Sequence, residues 1–147
     1  MSYWSWDPSL SIGIEEIDNQ HQRIVNYLNE LDDANTLRDR EKVSHVLMGL
    51  LDYTRTHFSF EEQLLEKSGY PLSSSHRQVH ETFVSHMNNF RIRHEKGEDI
   101  TRQLMSELRI WLTNHIKKDD ADYAPYAKKI LNVEKSWTKK MLDKLFS

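Results

Sequence analysis

Apolar positions along this chain recur at alternating steps of four and three, the period of a helix with one buried face. Ile17, His21, Ile24, Leu28 and Leu31 make the first such seam. The pattern is helical from Asp18 until the Asp32-Asp33-Ala34-Asn35 cluster ends it. A second helix spans Asp39 to Lys67, with Val43, Leu47, Leu50, Thr54, His57, Glu61 and Leu64 as its seam. Ser68-Gly69-Tyr70-Pro71 stops it, because glycine takes a left-handed cap conformation and proline cannot continue a helix. Ser73 to Ser75 offer N-caps, and Ser75 with Gln78 fits a capping box. The third helix then carries His76, His80, Phe83, Met87, Phe90 and His94 on one seam, and Lys96-Gly97 closes it. A fourth, from Ile100 to Lys118, carries Leu104, Leu108, Trp111 and His115.

The two ends of the chain read differently. Residues 1–16 have no helical period and hold Trp4, Trp6, Pro8 and Gly13, which suits an arm laid over the domain with the tryptophans as anchors. Residues 127–147 form an amphipathic helix on Val133, Trp137, Met141 and Leu145, ringed by Lys128, Lys129, Lys135, Lys139, Lys140 and Lys144. That helix either docks on the bundle or offers a surface to a protein or an acidic membrane. Short loops make sequential helices antiparallel. The expected fold is therefore all-α: one domain over 1–147, built on an up-down-up-down four-helix bundle over 17–126.

Composition narrows the chemistry. Glycine and proline are scarce and no long run alternates at period two, so strands are not expected. A net charge of −3, spread over a mixed-sign surface, argues against nucleic acid as the main partner. There is no apolar stretch of membrane-spanning length and no signal-peptide pattern, which with the absence of cysteine is consistent with a reducing cytoplasm. Zero cysteines also removes thiolate ligands and iron–sulfur clusters. A metal here must be held by imidazole and carboxylate, a set that suits iron, zinc, manganese or copper.

All four seams are interrupted by histidine. His57 and Glu61, and His76 and His80, are four apart, so each pair projects from one helix face. Burying so many polar groups without partners costs roughly 1–3 kcal/mol each, and a metal centre removes that cost. Position along the helices is an independent indication. His21 lies near the start of the first helix, His57 and Glu61 late in the second, His76 and His80 at the start of the third, and His115 near the end of the fourth. In an antiparallel bundle these places share one end. His115 and Asp120 are five apart, a rotation of about 140° beyond a full turn in a straight helix. Asp120 must therefore reach back from a loosened helix end, which suits a bridge between two metals better than chelation of one. His45, His86 and His94 read as surface or far-end residues. Asp18 either caps the first helix or orients a ligand imidazole, and Asp119 is the rival to Asp120.

The set His21, His57 with Glu61, His76 with His80, and His115 with Asp120 resembles the hemerythrin family, specifically its single-domain bacterial members. Trp6-Asp7, Asp18-Asn19-Gln20-His21, His57-Phe58 and Tyr123 belong to the same resemblance, which covers residues 4 to 126. It implies a non-haem centre of two Fe ions that binds O2 reversibly, without enzymatic turnover. His76, His80 and His115 would hold one iron, and His21 and His57 the other. Glu61, Asp120 and an oxo or hydroxo group would bridge them. Phe58, Phe83, Trp111, Leu112 and Ile116 would line the O2 pocket. The role implied is oxygen storage or delivery to an oxygen-requiring enzyme, by a monomer. An O2 or redox sensor, or a di-iron enzyme acting on peroxide or nitric oxide, is the alternative.

Overall fold

The structure is a computed structural model that describes residues 3–146. Met1 and Ser2 of the expected arm, and Ser147 of the expected last helix, lie outside the described residues. Four long helices, α1 (Glu15–Thr36), α2 (Arg40–Ser68), α3 (Ser73–Glu95) and α4 (Thr101–His115), run alternately up and down, and the described residues contain no strand. The seams on α1, α2 and α3 all face inward and are buried. On α4 the inward place after Leu108 is taken by Leu112, while Trp111 sits half-buried at the flank. No helix is long and apolar enough to cross a membrane.

Local chemistry explains most of the helix ends. Asp39 caps α2 by accepting from the Lys42 N–H at 3.1 Å, and Gly69 ends it at φ 73°. α1 exceeds the expected span at both ends, starting at Glu15 and running through the Asp32–Asn35 cluster to Thr36. The capping box expected at Ser75 does not form. The His76 N–H already donates to the Leu72 carbonyl at 2.9 Å, so the serines lie inside a wound turn instead of before it.

α4 does not stop where a bundle helix would. After His115, residues Ile116–Asp120 form a π turn in which the Ala121 N–H donates to the Ile116 carbonyl five residues back. The rod then continues as α5 (Ala121–Val133). A non-helical Glu134 separates it from α6 (Lys135–Phe146). The single amphipathic helix expected over 127–147 is thus two helices. Val133, at the break, is 74% exposed and leaves the stripe, whereas Trp137, Met141 and Leu145 pack inward. Phe146 reaches Tyr53 and Phe60 of α2.

Two apolar clusters result. The larger fills the bundle and includes Ile24, Leu28, Leu47, Leu50, Phe90 and Leu104. The smaller, with Ile17, Phe60, Leu64, Tyr123 and Met141, is closed over by α5 and α6. Between them lies a layer of buried polar side chains.

The amino-terminal arm is tied down by two polar clamps. The Asn29 amide accepts from the Trp4 N–H at 2.8 Å and donates to the Trp4 carbonyl at 2.7 Å. The Asp18 carboxylate accepts from the Ser11 hydroxyl at 2.5 Å and the Ile12 N–H at 3.0 Å. Asp18 therefore holds the arm; it neither caps α1 nor touches a histidine. Asn29→Ala leaves both polar groups of Trp4 unmatched in a part-buried place, and should lower stability by about 1–3 kcal/mol. Urea unfolding measures this, and an unchanged midpoint would mean that the arm adds nothing to the fold.

Candidate metal centre

The polar layer is built from one end of each helix. The start of α1 brings His21, the second half of α2 His57 and Glu61, the first turns of α3 His76 and His80, and the end of α4 His115. The π turn brings Asp120 back beside His115, Oδ1 to Nε2 3.2 Å, which a straight helix could not do. All seven are at most 5% exposed.

Their donor atoms fall into two groups that share a carboxylate. Glu61, His76, His80, His115 and Asp120 each offer an atom within 4.8 Å of the others, and His21, His57 and Glu61 do the same. Each carboxylate is divided between them. Glu61 turns Oε1 to His76 (3.1 Å) and His80 (3.5 Å), and Oε2 to His57 (2.7 Å) and His21 (3.5 Å). Asp120 turns Oδ1 to His76 and His115, each at 3.2 Å, and Oδ2 to His21 at 3.2 Å. Three histidines lie on one side of this pair of carboxylates and two on the other.

The residues fit a cation. Both ring nitrogens of His21, Oε2 of Glu61 and both oxygens of Asp120 are buried without a hydrogen-bond partner among the described residues. Each such atom costs roughly 1–3 kcal/mol, a cost that a bound cation removes. The charge states agree. Burial pushes Glu61 and Asp120 up, but the histidines around them outweigh it and hold both below the usual carboxylate range. Burial holds His57 and His115 below their ordinary value, as neutral imidazoles. It also pulls on His21 and His76, yet the adjoining Asp120 and Glu61 carboxylates push these to about 9 and about 10.

Outside this layer other groups aim the imidazoles. Gln20 Oε1 lies 2.6 Å from His57 Nδ1, and Asp119 Oδ2 lies 2.8 Å from His115 Nδ1. Glu62 approaches His80 Nδ1 at 3.6 Å. Holding one ring nitrogen fixes which way the other points. Asp119 is thus no rival to Asp120; it faces the far side of His115. The sequence marked Gln20 only as part of the Asp18–His21 segment and gave it no role, although it lies three residues after Ile17 and four before Ile24, on the buried face. Tyr123 stands behind His76, ring centroids 5.4 Å apart, fully buried with its hydroxyl unpartnered among the described residues. Burial and the nearby Glu61 and Asp120 charges push that phenol well above its ordinary range.

Aromatic rings wall the layer on the side of the larger cluster. Phe58 stacks on His80 at 3.8 Å, Trp111 on His115 at 4.4 Å, and Phe83 on Trp111 at 3.8 Å. Leu112 and Ile116 are buried on either side of His115 along the chain. The three remaining histidines stay apart from this constellation. His45 is exposed, His86 pairs with Glu107 at the surface, and His94 is buried but satisfied by the Ser44 hydroxyl at 2.6 Å.

Residues 12–127 match the hemerythrin HHE cation-binding domain. This chain belongs to the hemerythrin family. It is 44% identical over 132 residues to bacteriohemerythrin of Stenotrophomonas maltophilia, covering 90% of this chain and 86% of that one. Bacteriohemerythrin of Pseudomonas aeruginosa is 42% identical, with coverage of 84% and 80%. A crystal structure of wild-type hemerythrin superposes with a TM-score of 0.81 at 26% identity, covering 86% of this chain and 98% of that one. The stretch that matches the hemerythrin domain thus contains all seven side chains of the polar layer.

The raised histidines give a pH test. At neutral pH, metal loading should expel about two protons, from His21 and His76. Indicator dyes measure this, and loading with no proton release would show these histidines to be neutral beforehand. In the metal-free protein, the same pairings stabilise the fold fully below the unfolded value of 6.5, and that share is lost as pH rises through about 9 to about 10. Thermal midpoints of metal-free protein should therefore fall between pH 7 and 10.

Proposed function

We propose that this protein binds dioxygen reversibly at a pair of iron ions, as an oxygen store or as a donor to oxygen-requiring enzymes. The observation that carries this reading is the division of each carboxylate. With one oxygen of Glu61 and of Asp120 toward each histidine group, the site is shaped for two cations bridged twice. His76, His80 and His115 would hold one iron, His21 and His57 the other, and Glu61 and Asp120 would bridge them with an oxo or hydroxo group. A pair of irons held there would supply the two electrons that dioxygen takes up on binding and returns on leaving. Relatives that carry the name bacteriohemerythrin support the assignment.

The chain's own residues favour release over oxidation. Five imidazoles and two carboxylates form a less anionic shell than the four glutamates and two histidines of ferritin-like sites. That leaves the lower oxidation state of iron easier to keep. With one histidine fewer, the two-histidine side would leave room there for a diatomic molecule. Leu112, Ile116 and Phe58 cover the layer with apolar surface, and Trp111 and Phe83 brace it from outside. Exclusion of water matters because hydration of a departing reduced oxygen species would strand the metal oxidised.

The deciding experiment is optical: iron-loaded protein is reduced without air, given O2, then stripped of it. A colour that comes and goes supports the carrier reading, and irreversible oxidation with turnover of added reductant rejects it. Elemental analysis should find about two irons per chain, fewer after His115→Ala, and an undiminished content after His94→Ala. One zinc per chain, or unchanged iron in the His115 variant, would sink the assignment. Leu112→Asn should still bind iron and O2 but autoxidise many times faster, because a polar side chain there recruits water. An unaltered autoxidation rate with full iron content would move the gate elsewhere, to Trp111 or Phe83.

A further inference from the structure

The metal centre makes no use of the lysines that follow the bundle. Residues 126–147 carry six lysines against Glu134 and Asp143, a formal +4 in a chain whose total is −3. The remaining residues therefore sum to −7. The kind of cation changes as well. Every arginine lies at or before Arg109, and from there on the permanent cations are lysines alone. The match to the hemerythrin domain ends at residue 127, just before the first of the six.

α6 spreads its share of this charge over one face. At about 100° per residue, Lys135, Ser136, Lys139, Lys140, Asp143 and Lys144 span half of the helix, and all six are exposed. Thr138, Met141 and Leu145 turn the other way, inward. The two edges of the face differ. Lys135 and Lys139 share a groove with Glu15 and Glu16 of α1, which balance them. Lys140 and Lys144 stand on the edge of Trp137. There Lys67 adds a cation 5.2 Å over the indole, itself paired with Glu134 at 3.8 Å. At the corner between α5 and α6, Val133 projects at 74% exposure between Lys129 and Lys135.

We propose that the α6 face and the Val133 corner dock on an anionic lipid surface. An acidic protein would offer the same sign of charge, but the chemistry of the cations favours lipid. Interfaces between proteins are enriched in arginine, whose planar fork grips a carboxylate at two points, and depleted in lysine. Lysine is a mobile point charge on a long stem and suits the diffuse field of many headgroups. The helix has no need to unfold or insert. Its apolar side is already buried against Phe60 and Tyr53 by way of Phe146, so the ammonium groups meet the headgroups and Val133 supplies the one apolar point of entry. Docked in this way, α6 and the smaller apolar cluster lie between the polar layer and the lipid, where an apolar gas such as dioxygen is more soluble than in water. The docking itself is independent of what the metal centre binds.

The test uses the metal-loaded full chain and vesicles of phosphatidylcholine, with or without phosphatidylglycerol, in about 0.1 M salt, where exposed charges are screened beyond about 10 Å. Co-sedimentation should show binding to the vesicles that contain phosphatidylglycerol and none to the others, and the binding should weaken as salt is raised. Each lysine at such a surface adds about fivefold to binding, so Lys140→Gln with Lys144→Gln should lose roughly thirtyfold. The thermal midpoint and optical spectrum of that variant should stay those of the parent. Val133→Ser should also weaken binding, with its salt dependence unchanged. Lys42→Gln with Lys96→Gln removes the same charge at the opposite end of the bundle and should bind as the parent does. An equal loss there would reduce the effect to net charge and overturn the docking face. Binding to neither vesicle, or to both alike, would overturn the proposal. So would retention on immobilised polyglutamate without vesicle binding, which would give the face to an acidic protein.

Discussion

Two carboxylates with no access to solvent set the terms for this molecule. Glu61 and Asp120 are both at 0% exposure inside a helical bundle, where an uncompensated charge costs several kcal/mol. Five imidazoles crowd around them, and two of the five, His57 and His115, take their orientation from further polar groups, Gln20 and Asp119. The polar layer is self-consistent only as a unit. Remove one histidine and a carboxylate oxygen faces an apolar wall.

The scaffold answers this demand by enclosing the layer between two separate apolar clusters. The larger lies within the bundle and draws on residues of the arm, of α1 to α4 and of the π turn. The smaller needs α5 and α6 to cover Ile17, Phe60 and Leu64. α6 is thus part of what keeps water from the carboxylates, although it contributes no donor atom. Phe58, stacked flat on His80, restrains a ring whose Nδ1 has no hydrogen-bond partner among the described residues, and Trp111 stacks on His115 beside the bond from Asp119.

Much of this could be read from the chain because helical periodicity is a strong signal over twenty or more residues. The seams of α1, α2 and α3 are those that the steps of four and three marked out. The meeting of His21, His57, Glu61, His76, His80 and His115 at one end follows from antiparallel order. Short-range detail escaped for physical reasons. Ser75 has the chemistry of a cap, but backbone bonding from Leu72 had already begun the helix. Trp111 and Leu112 both satisfy the α4 period, and only the packed neighbours decide which faces in. Asp18 and Gln20 differ by two positions on α1, and their tasks depend on the arm and on α2, which local sequence does not encode. Glu134 carries no glycine or proline signal for the break beside it.

The π turn between α4 and α5 has a consequence beyond Asp120. It takes up one residue more than an α-helical turn would, and each residue advances a straight helix by about 100°. Subtract that one residue, and Asp120, Tyr123 and Ala127 stand four, seven and eleven places after His115, in phase with the buried stripe of α4. The turn works as a vernier: it absorbs a single unit of slippage so that everything downstream keeps pointing at the core. Had the rod continued as a plain α-helix with the same sequence, Asp120 would stand about 140° and Ala127 about 120° round from His115, both off the buried stripe of α4. The ligand geometry and the closure of the second apolar cluster are therefore one setting of the same screw, so an insertion or deletion within Ile116–Asp120 disturbs both at once.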